Sequence, residues 1–130
     1  MKYDPLRAPP AAEWLEIGEL DRIDLVADFH KKARIKLPNA RAHSILHAIV
    51  ENQIALSTPA VLEAMERLKA GGLDRHGAIH AVGTVLLELL RELMNNPKAH
   101  PPQQTNEMYA SALSHLTVSW WLENYGPEKK

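Results

Sequence analysis

The residues best suited to chemistry in this chain are its seven histidines. Four of them form two pairs at a spacing of four residues, His43 with His47 and His76 with His80. At about 100° per residue, positions four apart on an α-helix are neighbours on one face. His43 and His47 share their face with Leu46, Val50 and Ile54. His76 and His80 share theirs with Ile79, Gly83, Leu86, Leu87 and Leu90. Both are faces that belong in a core. His30 falls on a third apolar stripe, that of Leu20, Ile23, Val26 and Ala27. An imidazole in an apolar interior needs partners for both ring nitrogens, because an unpaired buried polar group costs a few kcal/mol. Several such rings together cannot be cations, since like charges repel and each loses its hydration. A divalent metal ion resolves the problem by taking one lone pair from each neutral ring.

The expected metal ligands are therefore His43, His47, His76 and His80, with Glu51 and His30 as further ligands. Glu51 continues the His43–His47 ladder by one turn, toward the edge of that face. Glu16 and Glu19 lie below His30, Glu88 lies off its face, and Asp24 and Asp28 point toward solvent. A donor set of imidazole and carboxylate without thiolate suits zinc, iron, manganese, nickel or copper. Between the paired histidines stand Ser44, Ile45, Leu46 and Gly77, Ala78, Ile79. Neither triplet contains the Glu that serves as base in the zincin motif. A base would have to come from elsewhere, with Glu51 first in line. Gln53 is read as a helix-packing hydrogen-bonder, His100 as an exposed loop residue and His115 as a packed or rim histidine. Trp120 and Trp121 diverge by about 100°, so that one fills the core and the other covers the site or a dimer contact.

The elements that must position these groups are helices. The nine prolines leave long proline-free stretches between them, as helices require. Residues 1–12 read as an extended arm. The spacing predicts helices from Trp14 to Arg34, from Ala40 to Leu56, over 59–70, from Asp74 to Met94 and from Thr105 to Asn124. Asn39 and Asp74 serve as N-caps, and Gly71-Gly72 ends the third helix. Residues 126–130 form a tail. No segment alternates with a period of two between hairpin turns. The expectation is an all-α bundle of four long helices and one shorter one, with residues 13–125 as a single domain. The segments His43-Ser-Ile-Leu-His47-Ala48-Ile49-Val50 and His76-Gly-Ala-Ile-His80-Ala81-Val82-Gly83 are alike enough to be an internal repeat. If their helices pack together, four imidazoles converge.

Composition narrows the function classes. With no cysteine, disulfides, Cys-ligated zinc and iron–sulfur clusters are excluded. Fifteen basic against sixteen acidic residues give a net charge of −1, which disfavours a nucleic-acid partner. The short basic run Lys31, Lys32, Arg34, Lys36 suits a helix C-terminus. No apolar stretch has the length of a signal or membrane segment, so a cytoplasmic protein is expected. No phosphate-binding glycine loop and no nucleophile elbow occur.

The stretch His43-x3-His47-Ala-Ile-Val-Glu51-Asn-Gln53, followed by Arg75-His76-Gly-Ala-Ile-His80, resembles a bacterial helical family of unknown function. That family carries a His-x3-His-x-x-Ile-x-Glu-Gln motif and a second His-x3-His motif on a later helix. The likeness covers residues 42–92 and departs from the pattern where Asn52 separates Glu51 from Gln53. The resemblance implies a helical bacterial protein with a motif-bearing centre, and it supplies no reaction.

Two functions of different class follow. One is a metal-binding helical domain, one form of which is a metal-dependent enzyme of hydrolytic or oxidative type. The other is a non-enzymatic interaction or structural module, such as a homodimer, in which a buried histidine and carboxylate network fixes helix register. A small-molecule sensor built on the same polar centre is a third.

Overall fold

The computed structural model describes residues 1–33 and 39–125. Arg34, Lys36, Pro38 and the tail 126–130 lie outside them. The chain is all-α, as expected, and divides into two compact units, Met1–Thr58 and Pro59–Lys130.

The first unit holds helices α1 (Ala11–Glu16), α2 (Glu19–Lys32) and α3 (Ala40–Ala55). The helix expected from Trp14 to Arg34 is thus broken, with Ile17 extended at φ −71°, ψ 138°. A break leaves carbonyls without intrahelical partners. Arg22 answers this, its Nε donating to the Ile17 carbonyl at 2.8 Å and Nη2 to that of Leu15 at 3.2 Å. Its Nη1 donates to Asn52 Oδ1 at 2.9 Å, which also accepts the Trp14 indole N–H at 2.9 Å. One amide of α3 therefore fixes both sides of the break. Restarting at Glu19 also shifts the apolar stripe. Leu20, expected in the core, is 67% exposed, while Ile23 and Val26 are buried.

Tyr3, Trp14, Ile23, Val26 and Ala48 form the core of this unit, with Leu15, Leu25 and Phe29 packed against it. Residues 1–12 are not merely an extended arm. A turn at Asp4–Arg7, whose Asp4 Oδ1 accepts the Leu6 amide at 3.0 Å, precedes α1, and both Tyr3 and Pro5 are buried.

The second unit holds α4 (Pro59–Ala70), α5 (Arg75–Asn95), a 3-10 turn at Pro102–Gln104, α6 (Thr105–Ser114) and α7 (Val118–Tyr125). Here too a single expected helix is two. The Leu113 and Leu116 carbonyls at the end of α6 both accept from Arg67 Nη1 at 3.0 Å. Thr117 Oγ1 then accepts the Trp120 amide at 3.1 Å and starts α7. Among the described residues the expected five helices are therefore seven α-helices.

The end of α4 is tightly built. Gly72 sits at φ +113°, a conformation that favours glycine. At Gly71 a Cβ would lie 2.6 Å from Val118 Cγ2, so only a hydrogen fits beneath α7. Gly71→Ala is expected to destabilise the protein by about 1–3 kcal/mol, as overpacking does, read as a lowered denaturant midpoint at unchanged slope.

Candidate metal centre

Asn39 sets the start of α3, its Oδ1 accepting the Ala42 amide at 3.0 Å. That start fixes the helical phase, and the phase turns Ser44, His47, Ala48, Val50 and Glu51 inward. Ser44 is satisfied locally, its hydroxyl donating to the Ala40 carbonyl at 2.9 Å. His47 is 2% and Glu51 1% exposed. Glu51, expected toward the edge of the face, is instead among the most deeply buried side chains.

A carboxylate at such depth is costly without hydrogen-bond donors. One comes from Tyr3, whose hydroxyl donates to Glu51 Oε2 and lies 2.6 Å from His47 Nε2. Tyr3 is held by aromatic neighbours. Its ring centroid is 5.7 Å from that of Trp14 and 6.2 Å from that of Phe29, the latter edge-on. Sequence reasoning missed Tyr3 because it precedes the first helix and belongs to no periodic pattern. Its only signal is that it is an aromatic hydroxyl in an otherwise polar, proline-rich segment.

His30 projects from the last turn of α2 and is 3% exposed. Its Nδ1 is 2.9 Å from the Val26 carbonyl oxygen. A carbonyl only accepts, so Nδ1 carries the hydrogen and the neutral ring keeps its lone pair at Nε2. That nitrogen faces His43 Nε2 at 3.2 Å. The centroid of His30 lies 4.7 Å from that of His43 and 5.2 Å from that of His47. Two nitrogens on one tetrahedral zinc ion, at about 2.0–2.1 Å each, would be about 3.3–3.4 Å apart. The His30–His43 separation fits that edge.

The second pair lies in the first two turns of α5, capped by Asp74 Oδ1 accepting the Gly77 amide at 2.7 Å. The His76 and His80 rings are half-buried and in edge contact, with centroids 4.2 Å apart. Within the first unit, His30, His43 and His47 bring three imidazoles together and could hold a metal ion, and Glu51 is connected to them through Tyr3 and His47.

The remaining candidates stand elsewhere. Glu16, Glu19, Asp24, Asp28 and Glu88 are exposed. His115 is exposed, with Nδ1 donating to the Ser111 carbonyl at 2.8 Å. Trp120 is exposed, and the fully buried indole is that of Trp14. No single helix among the described residues is long and apolar enough to cross a membrane. No family model matches the chain, and no curated protein or solved structure matches it either. The centre is therefore read from its own chemistry.

His100 has a partner that the sequence did not indicate. Its Nε2 lies 2.5 Å from Glu92 Oε2, and this hydrogen bond, with a smaller one from Asn96, holds the Glu92 carboxyl below its ordinary value. A depressed carboxyl favours the folded state above its unfolded-state pKa, and the contribution is lost as pH falls through the folded-state value. His100→Ala is expected to return the Glu92 titration toward the ordinary glutamate range, followed by NMR of the side-chain carboxyl.

Proposed function

We propose that this protein is a metal-binding helical domain in which His30, His43 and His47 hold one divalent transition-metal ion, while His76 and His80 offer a second pair of imidazole donors on α5. The observation that carries the reading is the gathering of three imidazoles in the first unit, with His30 Nε2 3.2 Å from His43 Nε2 and the His47 ring centroid 5.2 Å from that of His30. Two of the rings, His30 and His47, are almost fully buried. Buried rings this close cannot all be charged, and a shared cation uses their lone pairs where hydrogen bonds alone would need a donor for each. The edge-like spacing of His30 and His43 supports the same reading. Glu51 acts one bond further out, through Tyr3.

A donor set of neutral imidazoles suits zinc, nickel, copper or iron. Three protein nitrogens leave coordination positions open, as catalytic sites do, and suit oxidative or hydrolytic chemistry. A fourth donor closes a tetrahedral site, and a closed site is structural. The coordination number therefore decides between a structural centre and an enzyme.

The test is metal analysis of protein purified without an affinity tag. About one equivalent of metal is expected, lost in His47→Ala and in His30→Ala. Chelator is expected to lower the melting temperature of the wild type only, since a ligand that binds the native state alone stabilises it by mass action. Metal-free protein whose melting temperature ignores both chelator and added zinc, nickel, copper and iron overturns the proposal. The histidines would then belong to a hydrogen-bond network that fixes helix register.

A further inference from the structure

Tyr3 occupies a place that packing alone does not explain. Its hydroxyl has one hydrogen, and that hydrogen goes to Glu51 Oε2. The phenolic oxygen is then left to accept, and His47 Nε2 lies 2.6 Å from it. His47 Nε2 must therefore carry the ring hydrogen, so the lone pair of the neutral ring resides on Nδ1. A free neutral imidazole mixes two tautomers, and only one of them presents the lone pair at the required nitrogen. From this chain of donors we infer that Tyr3 is a positioning residue of the metal centre. It transmits the charge of Glu51 to His47 and holds that ring as the tautomer that can ligate through Nδ1.

The inference rests on the metal reading above and adds a residue that lies outside the helices. The arrangement is a carboxylate–histidine–metal triad with a phenol inserted between carboxylate and ring. In ordinary triads the outer partner fixes the tautomer and raises the basicity of the ligand, and its loss costs about 10- to 100-fold in metal affinity. The phenol lengthens the connection without changing its sense, because each member donates to the next: ring N–H to hydroxyl oxygen, hydroxyl O–H to carboxylate. His30 reaches the same condition by a shorter route, with its Nδ1 hydrogen given to the Val26 carbonyl at 2.9 Å. The two buried rings thus present lone pairs from opposite nitrogens, Nε2 of His30 and Nδ1 of His47.

The test uses the full chain and the variant Tyr3→Phe, which keeps the ring and its contacts with Trp14 and Phe29 but removes the hydroxyl. Zinc and cobalt affinities are measured by competition with a chromophoric chelator. The His47 tautomer is read in the apo protein from the nitrogen shifts of the ring. Wild type is expected to show the Nε2–H form. Tyr3→Phe is expected to show a mixture of tautomers and to bind both ions about 10- to 100-fold more weakly. Ile23→Ala serves as the control for general loosening. It removes apolar side-chain volume from the same core and is expected to lower the melting temperature while leaving the metal affinity and the His47 tautomer unchanged.

Equal affinities for wild type and Tyr3→Phe overturn the inference, as does an unchanged His47 tautomer in the variant. Equal losses of affinity in Tyr3→Phe and Ile23→Ala also overturn it, by assigning the effect to the core. Wild type that binds neither ion overturns the metal reading itself, a result distinct from a failure of Tyr3 alone.

Discussion

A neutral imidazole has one hydrogen to give and one lone pair to keep, and burial makes both obligations strict. The first unit is organised around that constraint. His30 and His47 lie within its interior, where water cannot supply a missing partner. Each has its hydrogen taken by a named acceptor, a carbonyl in its own helix for His30 and a phenol from outside any helix for His47. The aromatic packing of Tyr3, Trp14 and Phe29 serves this arrangement as well as the core. It holds the phenol at the point where the ring and the carboxylate both need it. A core of the same volume made only of aliphatic residues would pack as well and leave the histidine and the glutamate unanswered.

Much of the centre was legible because helical spacing is a one-dimensional signal. His43 with His47, and His76 with His80, could be placed on apolar faces from their intervals alone, and the caps at Asn39 and Asp74 marked where those helices begin. What escaped was whatever depends on a partner distant in sequence. The breaks at Ile17 and after Ser114 carry no proline. They exist because Arg22 and Arg67 reach freed carbonyls from another part of each unit. The depth of Glu51 was misjudged because angular position on a helix does not say what covers that angle. Tyr3 covers it, from a segment with no period to read. Leu20 faces solvent for a related reason: the helix that carries it restarts at Glu19, which an unbroken stripe does not reveal.

The two arginines share a solution to a common problem. A helix that ends inside a compact unit leaves carbonyls without amide partners. Guanidinium offers several donors in one rigid plane and keeps its charge when partly buried. Arg22 serves two carbonyls and an amide oxygen at once, and Arg67 serves two carbonyls with a single nitrogen. Asn52 gains its meaning in the same way. In the motif it reads as a spacer between Glu51 and Gln53, whereas in the fold it joins Trp14 and Arg22 to α3.

The hydroxyl of Tyr3 meets residues 44 and 48 positions further along the chain. Contacts of such long sequence separation close late, because the entropy of a large loop must be lost before they form. Helices α1 to α3 can each form from local bonds, but the segment ahead of them has nothing to dock on until α2 and α3 have met. The segment ahead of the helices is thus the last of this unit to settle, and the polar interior is complete only once that segment has docked.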